Sequence, residues 1–238
     1  MLQNLVSKTS LAISKISSQK IPKTIDPRYT EAKTTFKKIS FDVSKMINSL
    51  NQMQLNLQKL ATASLKFGED IDHWFSDAPE DAQLKAKTTL SFSKHFSALT
   101  INFLSPKVEP NVIALLVRYQ NEMNRLNDVK IQRKLARIEY DKSRAALESF
   151  LADPSKIDPS KLEEAKLKVS KDKDLYSPLN EDFITSVKKL EDNRESSFEK
   201  PYKNLLCLTS QYMMQVFTEL QKFRTTFPPN LFVHNEAK

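Results

Sequence analysis

Apolar residues recur every seven positions between Tyr29 and Trp74. One row is Tyr29, Phe36, Val43, Leu50, Leu57, Ser64 and Ile71. The other is Ala32, Ile39, Met46, Met53, Leu60, Phe67 and Trp74, and only Ser64 among them is polar. Rows offset by three and four residues share one side of a helix, so the pattern predicts a single helix of about 48 residues, about 70 Å long. Asp26-Pro27 supplies its start, an N-cap followed by proline at the first helical position. Ile47, Ala61 and Phe75 add a third row. A seam that wide predicts a bundle in which several helices meet.

Ser76-Asp77-Ala78-Pro79 reads as a turn. A second helix is expected from about residue 79, interrupted at Ser105-Pro106 and Glu109-Pro110. It resumes with Val112, Leu116, Tyr119, Met123 and Leu126 and runs to about Leu151. The segment from Asp153 to Pro159 is a loop. A third helix is expected from Ser160 to Thr226, with Val169, Tyr176, Phe183 and Leu190 spaced by sevens. After a one-residue shift come Phe198, Leu205 and Tyr212, beside a row of Tyr202, Thr209, Val216 and Phe223. Pro178 and Pro201 stand inside it and predict kinks, because each removes a backbone hydrogen bond and crowds the preceding turn. The second and third helices are thus expected to bend.

The expected fold is all-α: three long kinked antiparallel helices in a coiled-coil-like bundle over residues 26–227, with an amphipathic segment at 1–25 and a tail at 228–238. Three such helices make a thin bundle that leaves apolar stripe uncovered. Phe36, Val43, Leu50, Met53, Leu57, Leu60, Phe67, Ile71 and Trp74 form the expected bundle and dimer core, so a homodimer is expected.

Composition narrows the class. The chain has one glycine, Gly68, so it lacks the residue that positive-φ hairpin turns require. Its one cysteine, Cys207, permits no internal disulfide and is expected to be a buried small hydrophobe in a reducing compartment. His73, His95 and His234 are isolated and lack metal-ligand spacing. One glycine cannot build a phosphate-binding loop. No catalytic, cofactor or metal site is expected.

The net charge of +8 points to a polyanionic partner, a membrane surface or nucleic acid. Nucleic acid is disfavoured because the bases are interleaved with acids and no reading module appears. Residues 1–25 contain no Asp or Glu. Within them Leu2, Leu5, Val6, Ile13 and Ile16 share one helical face, with Lys8 and Lys15 beside it. That arrangement suits insertion at the boundary between headgroups and acyl chains. A basic stretch carries Arg125, Lys130, Arg133, Lys134 and Arg137, and the loop region carries Lys156, Lys161, Lys166 and Lys168.

The segment Arg133-Lys134-Leu135-Ala136-Arg137-Ile138-Glu139-Tyr140-Asp141-Lys142-Ser143-Arg144 resembles the second-helix signature of amphiphysin-type BAR domains, a basic stretch leading into Asp-Tyr-Asp-x-x-Arg, with Glu139 in place of the first Asp. Asn102-Phe103-Leu104-Ser105-Pro106 is similar to a stretch of endophilins, although it lies farther from Tyr140 here. The resemblance to the N-BAR type spans about residues 1–226. It implies a crescent-shaped, six-helix homodimer. Its concave face would meet lipid headgroups through Arg125, Lys130, Arg133, Lys134 and Arg137, and its tips through Lys156, Lys161, Lys166 and Lys168. It further implies a cytoplasmic, peripheral membrane protein on anionic lipids such as phosphatidylserine and phosphoinositides, acting on curvature in endocytosis or vesicle trafficking. The alternatives are a helical adaptor for a small GTPase or another helical protein, and a structural coiled-coil tether.

Overall fold

The computed structural model describes residues 21–152 and 157–227. The inserting residues Leu2, Leu5, Val6, Lys8, Ile13, Lys15 and Ile16, the loop residue Lys156, the tail 228–238 and the side chain of Phe223 lie outside the described residues. Among those described there is no strand. The helices are α1 (Pro27–Trp74), α2 (Glu80–Ala98), α3 (Ser105–Val108), α4 (Ala114–Ala152), α5 (Pro159–Asp192) and α6 (Arg194–Thr226).

Between α2 and α4 the expected interruptions do not occur. Helix continues from Glu80 to Ala152, widening into π turns at Leu99–Leu104 and Glu109–Ile113. The Ser105 N–H donates to the Thr100 carbonyl and the Ala114 N–H to the Glu109 carbonyl, each five residues back. Pro106 and Pro110 cannot donate to the preceding turn, and the wider turn absorbs that defect without ending the helix. Side chains collect the loosened carbonyls: Gln54 donates to Ser105 O at 3.3 Å and Asn204 to Asn111 O at 2.8 Å.

The third helix is also corrected. Pro178 and Pro201 both stand inside continuous helices. The helix expected to run unbroken from Ser160 to Thr226 is divided at Asn193, whose carbonyl accepts the Ser197 N–H at 2.9 Å as α6 begins. It lies between Leu190 and Phe198, where the seven-residue spacing slips by one. A break resets the helical phase that a continuous helix would have to carry through the slip.

The chain forms two compact units, and α1 and α4 run through both. The first contains residues 21–36 and 124–190. Its centre is Phe183, fully buried, with Tyr29 and Phe36 packed on it at ring separations of 5.3 and 5.6 Å. The second contains residues 37–123 and 191–227, where α6 packs against α2, α3 and both π turns. Its core includes Val43, Ala61, Val108, Val112 and Tyr212, and Thr100 and Tyr212 share a buried hydroxyl hydrogen bond of 2.8 Å.

The single polar member of the α1 rows and the single glycine meet the same residue. Ser64 lies 3.4 Å from the Ser93 hydroxyl on α2, and a Cβ at Gly68 would stand 2.8 Å from Ser93 Cβ and 3.1 Å from Leu90 Cα. Small residues let α1 and α2 approach closely there.

Two stability changes follow. Phe183→Ala should cost about 3–5 kcal/mol in urea unfolding. Gly68→Ala should lower stability by about 1–2 kcal/mol, because overpacking against Ser93 and the Leu90 backbone exceeds the propensity gain of about 1 kcal/mol that alanine brings to a helix. Adding Ser93→Gly should recover much of that loss. An unchanged midpoint for Gly68→Ala would contradict the close approach.

Candidate functional site

In the first unit, the basic stretch of α4 divides into buried and exposed bases. Arg133 is 3% exposed. Its guanidinium donates to Asn180 Oδ1 at 3.0 Å and to the Tyr176 hydroxyl at 2.9 Å, and it stacks 3.4 Å from the centre of the Tyr29 ring. Asn180 in turn donates to Asp26 at 2.8 Å, and Asp26 receives the N–H of Arg28 at the start of α1. Arg133 therefore ties α1, α4 and α5 together, and its assignment to lipid headgroups is withdrawn: the group is occupied inside the protein.

Burial raises the Asp26 carboxyl, but hydrogen bonds from Asn180, Arg28 and the backbone N–H groups of Tyr29 and Arg28 outweigh it and hold the group below its ordinary value. Burial pushes the Tyr176 hydroxyl up, against the opposing pull of Arg133. It remains a neutral donor, and reaches Asn180 Oδ1 at 3.2 Å.

Asp141 and Arg144 of the Glu-Tyr-Asp segment hold the chain that leads into α1. Asp141, 4% exposed, accepts both the N–H (2.9 Å) and the hydroxyl (2.5 Å) of Thr24. Arg144 donates to the Pro22 carbonyl at 3.0 Å. Arg137 lies 3.7 Å from Asp141, with a side chain only 19% exposed. Lys130 is half-buried, its ammonium 5.2 Å from the Phe36 ring centre.

Arg125 and Lys134 are exposed and have no carboxylate partner. Near the start of α5, Lys161 and Lys168 are also exposed. They line a cleft of about 450 Å³ between α4 and α5 with Lys142, Glu139, Glu164 and Phe150. Lys166 is paired with Glu163 at 2.6 Å. Of the bases named from the sequence, Arg125, Lys134, Lys161 and Lys168 thus remain exposed and unpaired.

In the second unit the apolar rows are not all covered. Phe36 and Val43 are buried in their respective units, and Leu50, Met53, Leu57 and Ile71 are half-buried. Leu60, Phe67 and Trp74 stand 55%, 59% and 81% exposed. On α6, Leu206, Met213, Phe217 and Leu220 are exposed as well. Cys207 is exposed, which corrects its expected burial. Four consecutive apolar residues wrap around a helix, so Leu205 and Leu208 turn inward while Leu206 and Cys207 face out.

No helix among the described residues is long and apolar enough to cross a membrane, and none of their His, Cys, Asp and Glu groups could hold a metal ion.

No family model matches the chain, and no curated protein matches it. Among solved structures it is similar to the crystal structure of a BAR protein from Galdieria sulphuraria, with a TM-score of 0.62 and 12% identity over 87% of this chain and 98% of that one. It also aligns with the N-terminal I-BAR domain (1–259) of IBARa from D. discoideum, with a TM-score of 0.43 and 13% identity over 90% of this chain and 95% of that one. The first likeness shows the fold: the chain has the fold of that BAR protein.

Arg133→Met should cost about 2–3 kcal/mol in urea unfolding, since a buried charged donor of two hydrogen bonds is lost. Lys134→Met, one residue away and exposed, should stay within about 0.5 kcal/mol. The depressed Asp26 carboxyl contributes stability above its unfolded pKa, and this is lost as pH falls through the folded value. The gap between wild type and Asp26→Asn should therefore be full at neutral pH and close below about pH 4 in unfolding curves taken across pH.

Proposed function

We propose that the chain is a membrane-binding homodimer that senses or generates curvature on anionic lipid surfaces, in the manner of an N-BAR protein. The observation that carries this reading is a BAR fold, in a chain of net charge +8, that leaves Arg125, Lys134, Lys161 and Lys168 on its surface without carboxylate partners. Unpaired bases on a helical surface gain about 1 kcal/mol each near anionic headgroups. Lys161 and Lys168 line the α4–α5 cleft, where Lys142 is already paired with Glu139 at 2.8 Å. Phosphatidylserine and phosphoinositides are the matching lipids. The cytoplasmic face of a membrane in endocytosis or vesicle trafficking is the corresponding setting.

The dimer is supported by the uncovered apolar rows. Leu60, Phe67 and Trp74 on α1 and Leu206, Met213 and Leu220 on α6 keep seven-residue spacing, the arrangement by which one helix packs on another. Rows of exposed apolar side chains at this spacing suit an interface. Residues 1–25, if helical, would add an apolar face of Leu2, Leu5, Val6, Ile13 and Ile16, flanked by Lys8 and Lys15, for insertion between headgroups.

Binding should therefore have two separable components. Charge reversal of Arg125, Lys134, Lys161 and Lys168 should weaken co-sedimentation with phosphatidylserine vesicles by at least about tenfold at low salt. Wild-type binding should likewise fall as salt screens exposed charges. Deleting residues 1–21 should leave a folded dimer that retains salt-sensitive binding but tubulates vesicles less. Equal binding of the charge-reversed and wild-type proteins at low salt would remove these bases from the contact.

A further inference from the structure

Helix α1 carries a second ordered row that the apolar pattern conceals. Lys38, Lys45, Lys59 and Lys66 fall at multiples of seven residues, with Gln52 filling the remaining step. All four lysines are exposed, and none is paired with a carboxylate. Residues 43–68 contain no Asp or Glu, and the one acid beside the row is Asp42, between Lys38 and Lys45. At 1.5 Å per residue the row is about 42 Å long, with neighbouring register positions about 10 Å apart.

Two large apolar residues accompany it. Phe41 is 68% and Leu55 is 43% exposed, and neither belongs to the rows that build the bundle or the uncovered seam. At 100° per residue both lie within about 60° of the lysine row and about 140° from the row of Met46, Leu60, Phe67 and Trp74. A second copy packed on that apolar row would leave the Lys38–Lys66 face outside the interface.

We propose that this face of α1 is a bilayer-contacting surface, in which Lys38, Lys45, Lys59 and Lys66 meet anionic headgroups while Phe41 and Leu55 enter the headgroup–acyl boundary. It rests on the reading of the chain as a membrane binder and assigns that contact to a helix face that the α4 and α5 bases do not include. Charge alone would suit any extended polyanion. The apolar pair favours lipid: a leucine gains from leaving water for acyl chains, whereas a duplex offers it only charged backbone. Lysines suit the same boundary, because their stems lie along apolar surface while the ammonium stays with the headgroups.

The test uses the full chain and vesicles of phosphatidylcholine with phosphatidylserine. Lys→Glu at positions 38, 45, 59 and 66 should lower affinity at least about tenfold at low salt. A control variant with Lys→Glu at 173, 188, 189 and 200 makes the same change in net charge on exposed positions of α5 and α6 and should lose less than about threefold, since charges away from the contact act only through the screened field. Lys→Gln at the four α1 positions guards against misfolding and should give an intermediate loss. In a Cys207→Ser background, an environment-sensitive fluorophore on Leu55→Cys should shift to the blue with vesicles and stay unshifted with duplex DNA. If both Glu variants bind equally well, or the fluorophore does not shift although vesicles are bound, the α1 face is wrong and the membrane reading stands. If the wild type does not bind vesicles at all, both fall. A shift with DNA alone would name the wrong occupant.

Discussion

A 48-residue helix can bury only as much of its apolar surface as its neighbours reach, and α1 carries apolar rows along its whole length. Its early rows are satisfied within the chain: Tyr29 and Phe36 close on Phe183, and Val43 is 1% exposed. Its later positions Leu60, Phe67 and Trp74 are left in solvent. Water penalises that surface at about 25 cal/mol per Å². The exposed residues of α6 have the same deficit. Folding of one chain thus leaves a continuing apolar demand, which a second copy would meet.

Charge is distributed under the same constraint. The row of Val112, Tyr119 and Leu126 continues at the same spacing into Arg133, and the row of Leu116 and Met123 continues into Lys130 and Arg137. Bases on core rows are drawn inward. Arg133 is consumed by Asn180, Tyr176 and the Tyr29 ring, and Lys130 and Arg137 are partly covered. Arg125 and Lys134 lie off those rows and stay in solvent. A run of bases read as one face is therefore two populations, one holding helices together and one free to meet a partner.

Much of this was legible in the sequence. The limits of α1, the turn at Ser76–Pro79 and the α4–α5 connection follow from rows, caps and proline-bearing loops. The burial of Arg133 was present as a signal too, because extending the apolar row by seven residues reaches it. What eluded the pattern was how a helix responds to proline. Pro106 and Pro110 widen the helix into π turns, while the phase slip between Leu190 and Phe198 breaks it at Asn193. Proline spacing alone does not say whether a neighbouring side chain will collect a freed carbonyl, as Gln54 does at Ser105. The exposure of Cys207 eluded it because an apolar run gives composition without phase.

The apolar rows left open on α1 and α6 suit a second copy of the chain. Sedimentation equilibrium of the purified protein measures this most directly. A single species of twice the chain mass is expected for the wild type, and a species of chain mass once Leu60 and Phe67 are both replaced by lysine with helicity retained. A wild-type protein that stays at chain mass across the accessible concentration range would contradict it.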